Sequence, residues 1–198
     1  MKKILGILLA VSTPLWAANF PPAQYDGKMK WILAAGLQGG GDALQSVVDV
    51  STGDTVEKLR AGGYFALRVG AVLPLGEQKN WSLETTVGYL YDEISSNINV
   101  NDNAKFERTT VEVIPFYNFG RHRIGIGLTY HIGPKFEQTA SVGNLEVEFD
   151  DALGGVVQYD VRYDKWISAG IRAGFIQYDY TGSSVDAPFF GIHLNYEF

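Results

Sequence analysis

The sequence predicts an all-β protein: an eight-stranded antiparallel up-and-down barrel that crosses a membrane with its strands. Three observations point there. Apolar and polar residues alternate with period 2 in eight segments along the chain, the mark of strands with one greasy and one polar face. The composition is rich in aromatics and glycine (11 Tyr, 11 Phe, 4 Trp, 23 Gly in 198 residues). No run reaches the roughly 20 apolar residues that a transmembrane helix needs. The chain closes on an alternating strand with an aromatic at its final position: Phe190, Ile192, Leu194, Tyr196 and Phe198 on one face, Gly191, His193, Asn195 and Glu197 on the other.

The other end reads as a secretory signal peptide over residues 1–17. Lys2 and Lys3 form a positive start, residues 4–11 an apolar stretch, and residues 15–17 a cleavage site, leaving a mature domain over 18–198. There is no cysteine, which excludes disulfides, thiolate nucleophiles, thiolate metal ligands and a lipidated N-terminus. Without Lys2 and Lys3, 14 basic residues face 22 acidic ones, a net charge of −8. An acidic chain with no basic stripe is not built for nucleic acid.

The first strand, about 28–38, puts Met29, Trp31, Leu33, Ala35 and Leu37 on its apolar face. The second, about 58–73, opposes Leu59, Ala61, Phe65, Leu67, Val69, Ala71 and Leu73 to Arg60, Gly62, Tyr64 and Arg68. The third, about 81–93, opposes Trp81, Leu83, Val87, Tyr89 and Tyr91 to Ser82, Glu84, Thr86 and Asp92. The fourth, about 106–119, opposes Val111, Val113, Tyr117 and Phe119 to Thr110, Glu112 and Asn118. The fifth, about 123–137, opposes Ile124, Ile126, Leu128, Tyr130 and Ile132 to Arg123, Thr129 and His131. The sixth, about 148–163, opposes Leu153, Val157, Tyr159, Val161 and Tyr163 to Gln158, Asp160 and Arg162. The seventh, about 166–178, opposes Ile167, Ala169, Ile171, Ala173 and Phe175 to Ser168 and Arg172. The C-terminal strand is the eighth, an even number as closed single-chain barrels require.

The faces decide between membrane and water. One carries large apolar and aromatic groups, the other charges and glycines, which suits lipid outside and a narrow polar lumen inside. A soluble barrel with the faces reversed would hold nearly all the Trp and Tyr inside, too much for eight strands. Links after the second, fourth and sixth strands are short (74–80, 120–122, 164–165), whereas those over 39–57, 94–105, 138–147 and 179–188 are long and polar. Short turns then lie in the periplasm and long loops outside. Trp31, Trp81, Phe119, Tyr163, Trp166, Tyr196 and Phe198 form one interfacial girdle; Tyr89, Tyr91, Tyr130, Phe175 and Phe190 form the other.

With these features the chain resembles, over essentially its whole length, the small eight-stranded outer-membrane β-barrels of the OmpA/OmpX-like superfamily. The resemblance implies the outer membrane of a Gram-negative bacterium and a porin-like monomer without a cofactor. It also implies outer-membrane lipid and lipopolysaccharide as surroundings, and a barrel assembly machinery that reads Tyr196 and Phe198 as the assembly signal.

Some barrels of this size modify lipid A with a Ser/His pair. His122, His131 and His193 have no serine at a family-like spacing, so no catalytic role carries over. The glycines at 39–41 precede no Lys-Ser/Thr and read as a turn. Glu146, Glu148, Asp150 and Asp151 do not match a calcium loop. No metal or cofactor site is expected. The lumen charges carry more information. Lys28, Lys30, Arg60, Arg68, Arg123, Arg162 and Arg172 oppose Glu84, Asp92, Glu112, Asp160 and Glu197. Enclosed charges must pair, because an unpaired one costs several kcal/mol. The expected polar network comprises Arg68, Glu84, Glu112, His131, Asp160, Arg162, Arg172 and Glu197, with Glu112 directly across from His131 if the fourth hairpin turns over 120–123. The expected function is a non-enzymatic barrel that supports envelope integrity and displays surface loops. The alternatives are a narrow small-solute channel, which the lumen glycines favour, and a lipid A-modifying enzyme.

Overall fold

The computed structural model describes residues 25–48, 55–77, 80–95, 103–140 and 143–198; the segment read as a signal peptide lies outside them. In chain order the strands are β1 (Lys30–Gly39), β2 (Ala43–Val48), β3 (Thr55–Arg60), β4 (Phe65–Leu75), β5 (Trp81–Ser95), β6 (Asn103–Phe119) and β7 (His122–Ala140). They continue with β8 (Gly143–Glu148), β9 (Ala152–Arg162), β10 (Ile167–Phe175), β11 (Gln177–Tyr180), β12 (Ser183–Asp186) and β13 (Phe189–Glu197).

Eight of these form the wall in the order β6-β5-β4-β1-β13-β10-β9-β7, and β6 pairs with β7 to close the ring. Every neighbouring pair is antiparallel. The predicted closed eight-stranded barrel is what the chain forms. Along β6 the side chains alternate inward and outward from end to end. The outward set is apolar, with Ile126 68% and Leu153 63% exposed. A continuous apolar belt of this extent is a lipid surface; in water it would drive association.

The second predicted strand is not one strand. Leu59 and Ala61, expected to face lipid, are fully buried in a core above the barrel mouth, while Arg60 and Tyr64, expected inside, are exposed. The reason is the glycine pair that follows. Gly63 takes a φ of +79°, and Gly62 donates its backbone N–H to Gly40 O at 3.1 Å, so the chain turns between β3 and β4 and the inward/outward count restarts.

The hairpin between β6 and β7 is also tighter than expected. Phe119 pairs with His122 across the two-residue loop Gly120–Arg121, with Gly120 at φ +62°. A two-residue loop with a positive-φ glycine first matches the twist of the flanking strands. The register therefore shifts by two: Glu112 faces Thr129, and His131 faces Thr110. Both side chains still point inward, but the expected Glu112–His131 pair does not form.

The long connections contain sheet of their own. β5, β6 and β7 run beyond the membrane belt, β8 adds to β7, and β11–β12 is a hairpin closed by Thr181 (φ 45°) and Gly182 (φ 81°).

Candidate functional site

The interior is the densest concentration of chemistry in the chain, and it is built in layers from the short-turn end. At the bottom, Glu197 of β13 meets Arg162 of β9 at 3.3 Å and Lys30 of β1 at 3.7 Å. Above it, Arg123 of β7 holds Asp160 at 2.6 Å and Glu84 at 2.8 Å, and lies 3.7 Å from Glu197. Its guanidinium also sits 4.3 Å from the Phe116 ring centroid. Asp160 takes a hydrogen bond from Gln158 at 3.1 Å and one from Asn195 at 3.3 Å, and His193 Nε2 lies 2.6 Å from it. In the third layer Glu112 of β6 receives Arg68 at 3.0 Å, Arg172, and the Thr129 hydroxyl at 3.3 Å.

Each of these side chains reaches the axis because a strand puts every second residue there. The lumen glycines are what let them fit. A Cβ on Gly170 would lie 2.1 Å from Asp160 Oδ1, and one on Gly88 would lie 2.6 Å from Arg68 Cγ. At these two positions charged side chains fill the room that the glycines leave, and beside Gly125 and Gly174 the rings of Phe116 and Phe189 do.

The long-loop end is closed differently. Arg108 of β6 donates to Ala61 O at 2.8 Å and lies over the rings of Phe106 and Tyr178, 4.6 and 5.6 Å from their centroids. Tyr178, on β11, shares a 2.6 Å hydrogen bond with His131 Nδ1, and His131 Nε2 lies 3.1 Å from the Thr129 hydroxyl. Burial pushes the Tyr178 phenol up to about 12. Above this layer, Leu59, Ile94, Phe106, Phe136 and Ile176 form an apolar cap with Phe149 packed against it.

The eight residues expected in the polar network all point inward and are buried. Seven of them join in the ion pairs above; His131 lies in the layer beneath the cap and bonds Tyr178. Lys28 and Arg60, also read as lumen charges, are exposed. Arg108 was not among the expected lumen residues, although the parity of Thr110 and Glu112 places it inside. Tyr196 and Phe198 both face outward, their rings 5.6 Å apart. Of the histidines, His122 is the first residue of β7 and not part of the turn, and shares a 2.6 Å hydrogen bond with the Tyr159 hydroxyl.

On the outer face of the β6–β7–β8 extension the charges form a ladder. Lys105 lies 2.8 Å from Glu137, and Lys135 lies 2.7 Å from Glu137 and 2.9 Å from Glu146. Hydrogen bonds from Lys105 and Lys135 hold the Glu137 carboxyl below its usual range, and the bond to Glu137 raises both lysines. A depressed acid stabilises above its unfolded value of about 4.3 and loses that benefit as pH falls through the folded pKa; raised lysines stabilise below about 10.4 and lose it as pH climbs past theirs. Amide protection of residues 143–148, corrected for intrinsic exchange, is expected to be greatest between those limits and to drop as pH falls below about 4.3. Protection that does not change across that range would show that the ladder does not hold β8.

No family model and no curated protein matches the sequence. Solved structures do. Ail, the attachment invasion locus protein of Yersinia pestis, solved in complex with the heparin analogue sucrose octasulfate, superposes with a TM-score of 0.54 at 9% identity, over 86% of this chain and 97% of that one. Neisserial surface protein A superposes with a TM-score of 0.53 at 9% identity, again over 86% of this chain and 97% of that one. The outer membrane protease OmpT of Escherichia coli aligns with a TM-score of only 0.41, too distant to bear on activity. At such identities the likeness is one of fold.

Proposed function

We infer that this chain, a closed eight-stranded barrel with the fold of the small outer-membrane proteins, lies in the outer membrane of a Gram-negative bacterium as a non-enzymatic, non-conducting element. In this reading it supports envelope integrity and displays its long loops outside the cell. The observation that carries the reading is the filled interior: three layers of ion pairs below an apolar cap. A solute would have to break several buried pairs to pass, and breaking one by removing a partner costs about 3–5 kcal/mol. The histidines support a non-catalytic role. Each is engaged by a tyrosine, a threonine or an aspartate, and none meets a serine nucleophile.

Every wall strand is paired on both sides, which favours a monomer surrounded by lipid and lipopolysaccharide. The segments 39–64, 92–108, 133–151 and 176–188 carry 15 Asp and Glu against 5 Lys and Arg. That charge opposes a sulfated ligand like the one in the Ail complex and favours a cationic partner.

An epitope inserted between Thr181 and Gly182, at a hairpin tip that tolerates insertion, is expected to label intact cells. The same epitope at Gly120 is expected to label only after the envelope is opened, and lipid A from cells with and without the protein is expected to give the same mass spectrum. Surface labelling at Gly120 would invert the topology; a protein-dependent lipid A product would make the barrel an enzyme.

A further inference from the structure

The segment 25–29 leads into β1 at the short-turn end of the barrel, and its contacts are not with the strands beside it. The wall order β1-β13-β10-β9 puts β9 three places from β1. Yet the Tyr25 ring centroid lies 4.9 Å from the guanidinium carbon of Arg162 on β9. Lys30, the first residue of β1, makes the same crossing and donates from Nζ to Lys165 O, in the turn after β9, at 3.0 Å. Arg162 is buried on the lumen side, so Tyr25 reaches it by crossing the mouth and not by following the outer wall. The segment is bent to do so. Gly27 takes a φ of +68°, Asp26 Oδ1 accepts the Lys28 backbone N–H at 3.1 Å, and the Tyr25 hydroxyl donates to Lys28 O at 3.1 Å. Asp26 Oδ2 lies 3.8 Å from Lys30 Nζ, which in turn lies 3.7 Å from Glu197 and ties the bend to the bottom layer of ion pairs.

We propose that residues 25–29 form a lid over the short-turn mouth, with the Tyr25 ring on Arg162 as its closing contact. The ring does two things there. Its face attracts the guanidinium, and its apolar body keeps water from the layer of Arg162, Glu197 and Lys30, whose attractions are stronger out of water. The ring is half-buried, and burial pushes its phenol up to about 12. The lid is held by few contacts, and Asp26 is exposed, whereas the pairs beneath it are buried in the barrel. It can therefore open while the wall stays folded, which makes it the first part of the lumen to admit water. The lid extends the reading of a sealed barrel to the opposite mouth from the apolar cap. Conductance reports on the lumen as a whole; the reactivity of Arg162 reports on the lid alone.

Glyoxal, a small dicarbonyl that modifies water-accessible guanidinium groups, tests the lid on the folded protein in micelles, with the rate at each arginine read by peptide mass spectrometry. In the wild type Arg162 is expected to react as slowly as Arg123 in the layer above, and far more slowly than the exposed Arg60. Tyr25→Ala is expected to speed the reaction of Arg162 roughly tenfold and leave Arg123 unchanged. Gly27→Val, strained at the φ that bends the segment over the mouth, should free Arg162 with the ring intact. Tyr25→Phe keeps the ring and should leave Arg162 protected. Heat-modifiable migration checks that each variant is folded. Arg162 reacting as fast as Arg60 in the wild type, or staying as slow as Arg123 in both Tyr25→Ala and Gly27→Val, would overturn the lid. Equal acceleration in Tyr25→Phe and Tyr25→Ala would overturn the ring as its closing contact.

Discussion

Replacing Arg123 with leucine is expected to cost the barrel about 3–5 kcal/mol of stability, among the largest effects of any single substitution in the chain. Arg123 is fully buried and faces three carboxylates: Asp160, Glu84 and Glu197. Its removal leaves Glu84 and Asp160 charged or forces them to take up protons, and either outcome spends free energy that the wild type keeps. The control is a second change. Adding Glu84→Gln and Asp160→Asn to Arg123→Leu should restore part of the loss, because the uncompensated charges go with their partner. Urea unfolding in micelles, followed by tryptophan fluorescence, reads both. A loss within about 0.5 kcal/mol of zero, the range of ordinary surface substitutions, would mean that these pairs do not hold the interior.

Deleting Phe198 is expected to deplete the protein from the outer membrane. Two contributions are joined at this residue. Phe198 and Trp31 exchange backbone hydrogen bonds of 2.8 and 2.9 Å, which close the β1–β13 seam at its lower end. The outward ring continues the aromatic row of Tyr196, which the resemblance to small outer-membrane barrels proposes as the assembly signal. Phe198→Ala separates the two, because it keeps the backbone pair and removes only the ring. If the ring is the signal, the alanine variant should be depleted nearly as much as the deletion. Normal levels of heat-modifiable barrel in the alanine variant would assign the effect to the seam, and normal levels in the deletion would remove any role for Phe198 in assembly.

The faces of the wall strands were legible because a period of 2 leaves no choice: once Val111 faces lipid, Glu112 must face the lumen. Partners were harder to read. The Glu112–His131 pairing failed over a single property, the length of the turn, since the positive φ of Gly120 makes a two-residue loop where four residues had been allowed. The face was right and the neighbour wrong by two. Leu59 and Ala61 misled for a related reason: the apolar alternation runs on through Gly62 and Gly63 in the sequence, while the backbone turns there. Arg108 was within reach of parity but lay below the first apolar residue used to set the phase of its strand. The pin between Tyr178 and His131 was beyond sequence reasoning, because it joins a loop hairpin to a wall strand 47 positions away, and no local pattern encodes that approach.

The chemistry of the interior was legible in kind. Among the described residues, five of the six buried cations, Lys30, Arg68, Arg123, Arg162 and Arg172, were already assigned to the lumen by their position in the alternation, and a narrow barrel obliges such charges to meet carboxylates. What alternation could not decide was whether the lumen glycines open a pore or make room for those side chains. The close approach of Asp160 to Gly170 and of Arg68 to Gly88 supports the second reading.

The most direct test of a sealed, non-conducting barrel is single-channel recording of the purified, folded protein in a planar lipid bilayer at neutral pH. The lumen described here predicts no current steps above the bare bilayer at any applied voltage that the membrane withstands. Stable, reproducible unitary steps from protein shown to be folded by its heat-modifiable migration would contradict it and make the barrel a channel.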